Sequence, residues 1–423
     1  MWNLFLQKTA DIQDVKDYTL RDWGNVKTVA SLCKRARAKR YPEIREYSKL
    51  IRQEDARVRS PTKDCSMATA IENAYRGGLT MALYRGKVHN TAWFDISGAY
   101  SHAIQFNNTD QYINYRWSRT ENCFGNRPRL HLVYTTVHFR KVNMSLKFFK
   151  TARLEKKPRY AEWYWSADLR ALKNIVPDMQ YEIIETYEPE PLRTDILQSQ
   201  AAYWSDKKDE EKALNGKTTL YKDYKDMSNT SYGICAERTY RNTIHTNLVI
   251  AGIITSSIHY VLSLMIKTAR DIGHTWLYSD TDSIAIAINP HPHETTRDKC
   301  IDDIGKSIEK ALNRSIEPYT CELEFMGTTT VFSLKRYIAS DSKRGDPDKI
   351  KLHGISAYDI TPARLRKMIA NPETISKKPV MIKSIKAATP IGYKRILNTQ
   401  EGAPIVNPHP FMFLLNLESF VSY

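Results

Sequence analysis

Two runs of β-forming residues, Thr275-Trp276-Leu277 and Ile284-Ala285-Ile286-Ala287-Ile288, close on the polar tip Tyr278-Ser279-Asp280-Thr281-Asp282-Ser283. That pattern predicts a hairpin with carboxylates at its end. Residues i and i+2 share a strand face, so Asp280 and Asp282 are expected to point the same way. Carboxylates aimed together repel unless a cation or a proton lies between them, and hard oxygen ligands select Mg²⁺ or Mn²⁺. An acidic surface turn has the same pattern, and the hairpin alone leaves both readings open.

Three other segments bear on that choice. Trp93-Phe94-Asp95-Ile96-Ser97-Gly98-Ala99-Tyr100 reads as a buried strand with Asp95 near its end. A charge there is costly without a partner. Asp95 either caps the following turn or joins Asp280 and Asp282 as a third carboxylate. In the second case the group would suit two cations about 3.5–4 Å apart, which stabilise both oxygens of an in-line phosphoryl displacement. Further on, Lys225, Asn229, Tyr232 and Gly233 recur at helical spacing and share one face. That face is either solvated or a groove in which a cation meets phosphates, a ring packs on a base pair and glycine admits a close approach. In Leu334-Lys335-Arg336-Tyr337, Lys335 and Tyr337 fall on one side of an expected strand, a pairing suited to a nucleic-acid backbone.

Taken in this order, the segments resemble the polymerase motifs of family B DNA polymerases. Asp95 with Tyr100 matches the first motif, Lys225 to Gly233 the second, Tyr278 to Ser283 the third, and Lys335 with Tyr337 the Lys-x-Tyr signature. Tyr75-Arg76-Gly77-Gly78 is similar to the Tyr-x-Gly-Gly element of the protein-primed branch, although on its own it would read as a flexible turn. Gly98, Ala99 and Ser101 stand where the family usually has Ser, Leu and Pro, and Thr230 where Ser is usual. The resemblance implies a mixed α/β (α+β) right-hand polymerase with palm, fingers and thumb, the palm built on an antiparallel sheet. It implies Asp95, Asp282 and the Ile96 carbonyl as ligands of two Mg²⁺ ions, Mn²⁺ being an alternative, with Asp280 supporting the hairpin. Tyr100 would exclude the ribose 2′-hydroxyl, Lys225 and Asn229 would hold the triphosphate, and Tyr232 and Gly233 would line the nascent pair's pocket. Tyr75, Gly77, Gly78, Thr281, Ser283, Lys335 and Tyr337 would contact DNA. A catalytically silent DNA-binding accessory protein and a metal-dependent nuclease are the competing functions. The second leaves Tyr100, Lys225 and Asn229 without a role.

The implied segments are 1–64, a remnant of a 3′–5′ exonuclease domain; 65–110, palm; 111–205, an insertion contacting a terminal protein; 206–245, fingers; 246–355, palm; and 356–423, thumb. Tyr18 and Asp22 would belong to the last exonuclease motif. The residues before Tyr18 include Asp11, Asp14 and Asp17 but no glutamate, so editing would require a separate exonuclease chain. The short link around Arg238 to Arg241 implies weak strand displacement. Within the insertion, Leu130 to Phe139 alternates like a strand, and Trp163, Tyr164 and Trp165 are either core or a nucleic-acid surface, with at least one tryptophan expected in the core.

With 63 Lys and Arg against 47 Asp and Glu, the formal charge of +16 suits DNA template and primer, though it suits an acidic protein equally. The six cysteines form no Cys-x-x-Cys pair and fit a reducing compartment, expected to be the host-cell cytoplasm or nucleoid. Leu248 to Ile272 is expected to be a buried helix ended by Gly273 and not a membrane span, because Thr255, Ser256, Ser257, His259, Ser263 and Lys267 interrupt it. The Met1 to Leu6 opening does not fit a signal peptide.

Overall fold

A computed structural model describes residues 57, 59–60, 63–84, 86–106, 117–120, 132–138, 159–189, 196–236, 247–289, 294–315, 319–333, 336–340, 350–353, 380–382 and 411–413. Tyr18, Asp22, the Arg238–Arg241 link, Lys335 and most of the expected thumb lie outside them. The chain divides into two compact units, one of residues 1–79, 96–268 and 306–321, the other of 80–95, 269–305 and 322–423.

The first unit begins with a two-stranded ribbon, β1 (Arg59–Ser60) and β2 (Cys65–Ser66), followed by helix α1 (Met67–Ala74). Ser66 caps α1 by accepting from the Thr69 N–H at 3.3 Å. The strands β5 (Trp117–Arg119), β6 (Leu132–His138), β7 (Arg159–Trp165) and β8 (Gln180–Pro189) form an antiparallel sheet in the order β5-β8-β6-β7. Its register sets Leu132 beside Trp165 and Tyr134 beside Trp163. Trp163, Tyr164 and Trp165 are all buried, so the nucleic-acid alternative for these aromatics gives way to core packing. Helices α2 (Ala99–Phe106), α3 (Ser166–Ile175), α4 (Ile196–Asn215) and α5 (Thr219–Cys235) complete the unit's frame. Gly216, at φ +77°, turns the chain from α4 into α5, and α2 packs against both.

Helix α6 (Leu248–Asp271) starts at Asn247, whose Oδ1 accepts from the N–H groups of Val249 and Ile250. It is long and apolar enough to cross a membrane, with a mean hydropathy of 1.9, yet 83% of its most apolar window is buried inside the protein. It is the buried helix expected, and its hydroxyls bond to the helix's own carbonyls: Thr255 to Ala251, Ser256 to Ile253 and Ser263 to Tyr260. Gly252 is where α6 meets Trp165, and a Cβ there would collide with the indole nitrogen. Gly273, at φ +94°, ends the helix as expected, and the His274 N–H returns to the Ala269 carbonyl at 2.9 Å.

The second unit is built on a seven-stranded sheet. Its strands are β3 (Leu79–Ala82), β4 (Gly86–Ile96), β9 (Thr275–Thr281), β10 (Ser283–Ala287), β11 (Cys321–Ser333), β12 (Arg336–Ser340) and β13 (Ile350–His353). The order is β13-β12-β11-β4-β10-β9-β3. On one face Phe94 lies next to Gly305 of helix α7 (Glu294–Ser315), and on the other Trp93, Tyr278, Ala285, Val331 and Tyr337 form a core cluster. A separate ribbon pairs β14 (Val380–Ile382) with β15 (Phe411–Phe413).

Candidate active site

Main-chain pairing brings the acidic residues of the second unit together. Ser283 on β10 stands opposite Asp95 on β4 and also opposite Asp280 on β9. Residues paired across strands project to the same face, so Asp95, Ser283 and Asp280 form one polar row. The next row inward, Trp93, Ala285 and Tyr278, is apolar and buried. The carboxylates thus sit where a dry sheet ends.

Asp282 is placed differently from the strand argument. Strand β9 stops at Thr281, whose φ of +68° is uncommon for a branched residue, and the Asp282 N–H returns to the Asp280 carbonyl at 2.8 Å. Such a tight γ-turn stores about 1–3 kcal/mol of strain and is maintained only when the surroundings enforce it. The turn, and not two-residue strand spacing, therefore sets the direction of Asp282. Thr281 donates its hydroxyl to Asp280 Oδ1 at 3.2 Å, and Ser283 donates to the Asp280 carbonyl at 3.3 Å. Both side chains orient the hairpin from within.

Tyr337 stacks on Trp93 with ring centroids 4.4 Å apart and lies 5.3 Å from the Tyr278 ring. Its phenol is pushed above the ordinary range, first by burial and then by the charges of Asp280, Glu324, Tyr278 and Asp95. The negative fields of Asp280 and Asp95 therefore converge on one hydroxyl. Glu324 on β11, which sequence reasoning passed over, adds to that field. Among the described residues, however, no group of three or more His, Cys, Asp or Glu side chains is close enough to hold a metal ion. The donor chemistry, carboxylates and a strand-end carbonyl in a negative field, suits a hard divalent cation, but the three carboxylates do not form a closed cage.

The expected nucleotide residues gather in the first unit. Lys225, Asn229 and Gly233 are exposed on α5, and Tyr232 on the same helix is half-buried. Tyr232 stacks on Tyr100 of α2 at 4.4 Å and 25°, and its hydroxyl meets that of Tyr75 at 3.2 Å. Burial, followed by the neighbouring phenols of Tyr75 and Tyr100, raises the Tyr232 phenol above its ordinary range. Arg76 is not part of a flexible turn. It is 4% exposed and donates to the carbonyls of Ala74 and Trp163. Lys208 on α4 was not singled out by its sequence context. Its Nζ lies 3.9 Å from where a Cβ would stand on Gly98, three residues past Asp95 in the chain, and it pairs with Asp209 at 3.3 Å. Only the packing of α4 against α2 reveals it.

No protein-family model and no curated protein matches the sequence. Solved structures do. Phi29 DNA polymerase complexed with single-stranded DNA matches with a TM-score of 0.53 and 15% identity, over 85% of this chain and 65% of that one. The same polymerase complexed with primer-template DNA, in a post-translocation binary complex, gives 0.52 and 15%, over 84% and 65%. A family B DNA polymerase from the hyperthermophilic archaeon Pyrobaculum calidifontis gives 0.40 and 11%, over 92% and 48%. The chain thus spans less than two thirds of the length of the Phi29 enzyme. The Phi29 likeness establishes the fold alone: mixed α and β with antiparallel sheets, similar to a polymerase.

Proposed function

We propose that this chain is a template-directed DNA polymerase that transfers nucleotides from dNTPs by a two-metal mechanism. The observation that carries the reading is the register that sets Asp95 and Asp280 on either side of Ser283, at the polar end of a buried antiparallel sheet. The Phi29 polymerase fold supports it. Asp95, Asp282 and the Ile96 carbonyl would hold Mg²⁺ or Mn²⁺, while Asp280, fixed by Thr281, would support the hairpin. When bound, the ions supply charge stabilisation at the attacking and leaving oxygens of the phosphoryl group. Lys225 and Asn229, exposed on one helix face, would hold the triphosphate in line. The Tyr100 ring, backed by Tyr232, would fill the space of a ribose 2′-hydroxyl.

In this reading the seven-stranded sheet is the palm, α5 and the end of α4 from residue 206 belong to the fingers, and residues 356–423 are the thumb. Tyr75, Gly77, Gly78, Thr281, Ser283, Lys335 and Tyr337 would contact template and primer. Priming from a terminal protein bound by the 111–205 insertion and replication in a host cytoplasm complete the proposal.

The test supplies template, labelled dNTP and Mg²⁺, with and without a candidate terminal protein, to the natural chain and to Asp282→Ala. Metal-dependent extension that Asp282→Ala abolishes is the expected result. DNA binding without any extension overturns the reading.

A further inference from the structure

A buried charge network lies under the Tyr75–Gly78 loop, and the polymerase chemistry leaves it without a role. Arg76 has its guanidinium 3.4 Å from Glu162 and 4.0 Å from Asp168, over the face of Tyr164 at 4.3 Å. Asp168 on α3 is 1% exposed and meets Nδ1 of the fully buried His259 on α6 at 2.6 Å. Nε2 of the same ring meets the Gly77 carbonyl at 2.7 Å. The ring thus bridges the Asp168 carboxylate on one side and the loop's Gly77 carbonyl on the other. Arg76 faces both Glu162 and Asp168, and His259 reaches the same Asp168 from α6, so one buried carboxylate ties the two together.

The network seizes two consecutive loop residues from below, Arg76 by its side chain and Gly77 by its carbonyl. Gly77 itself is exposed, and a Cβ there would touch nothing, so the bond from its carbonyl to His259 and the buried Arg76 side chain anchor the backbone. The adjoining Tyr75 is the residue whose hydroxyl reaches Tyr232, which in turn stacks on Tyr100. We infer that Arg76, Asp168 and His259 are positioning residues: they fix the Tyr75–Gly78 loop and, through Tyr75, the Tyr232–Tyr100 pair of the nucleotide pocket. The inference rests on the polymerase reading for its kinetic consequence, but not for its structural one.

Two measurements on the full chain test it, using Arg76→Lys, which keeps the charge but loses the fork, and His259→Gln. The first is amide hydrogen exchange. Residues 76–79 should exchange about tenfold faster in either variant while β7 and the first half of α6 keep their protection. The second is nucleotide kinetics with and without Tyr75→Phe. Each variant should raise the KM for dNTP about fivefold with kcat nearly unchanged, and the increase should vanish in the Tyr75→Phe background because the relay is already cut. Unchanged loop exchange overturns the inference. So does equal loosening of β7 and α6, or a KM effect that persists in full without the Tyr75 hydroxyl. If the natural chain incorporates no nucleotide, the polymerase reading fails by itself, and the exchange pattern decides whether the network holds the loop.

Discussion

In the unit containing residues 80–95 and 269–305, main-chain register alone sets Asp95 and Asp280 beside Ser283, and a strained turn at Thr281 directs Asp282. In the other unit no strand pairing joins the nucleotide residues. Tyr75 and Tyr232 meet across 157 positions of chain, and Tyr232 and Tyr100 meet because α5 packs on α2. A site set by register tolerates changes in its own side chains without loss of fold. A pocket set by side-chain contacts depends on the core beneath it. The two should therefore respond in opposite ways, the hairpin losing chemistry while it keeps stability and the pocket losing order along with its core.

The largest expected effect is at the carboxylate row, on the strand beside the hairpin. Asp95→Asn should lower primer extension by about 10²–10³-fold, since a charge placed for the transition state is lost. Its thermal unfolding should stay close to that of the natural chain, and a large drop in melting temperature would mean that Asp95 is mainly structural. Next comes the core of the first unit. Gly252→Ala forces α6 away from Trp165 and should cost about 1–3 kcal/mol in denaturant unfolding. An unaffected midpoint would remove the contrast between the regions. Tyr100→Ala should shift discrimination between dNTPs and rNTPs by about tenfold toward ribonucleotides, read by competitive incorporation. Discrimination equal to that of the natural chain would take the gate away from Tyr100.

The smallest effect is a pH dependence at the root of the hairpin. His274 accepts from the Asn289 N–H at 3.2 Å and is held below its ordinary value of 6.5 by burial. The folded state binds this proton less readily than the unfolded chain, so the contribution is present above that value and lost as pH falls below it. Melting temperature should decline between about pH 7.5 and about pH 5.5, and less so in His274→Gln. An identical decline in the variant would assign the effect to other groups.

Much of the secondary structure was legible because it is local. The β-branched runs around Asp280, the helical spacing from Lys225 to Gly233 and the Gly273 cap all express periodicities that neighbouring residues impose on each other. Local reasoning did not reveal the tight turn that precedes Asp282, or that the hydroxyls of the expected buried helix α6 would be satisfied on its own backbone. It expected at least one of Trp163 and Trp165 in the core, and both are buried, but it could not tell that Tyr164 would be covered too, because alternation says nothing about what covers each face.

By itself, the sequence determined that a β-hairpin would carry acidic residues at its tip and that an aromatic strand would carry Asp95 near its end, since apolar pattern and residue spacing suffice for both. Only the tertiary structure decided that Ser283 would stand between Asp95 and Asp280, that Lys208 would approach Gly98 and that Arg76 would be buried under its own loop. Those are contacts between distant segments. They arise from the packing of elements against each other, which no short stretch of the chain contains.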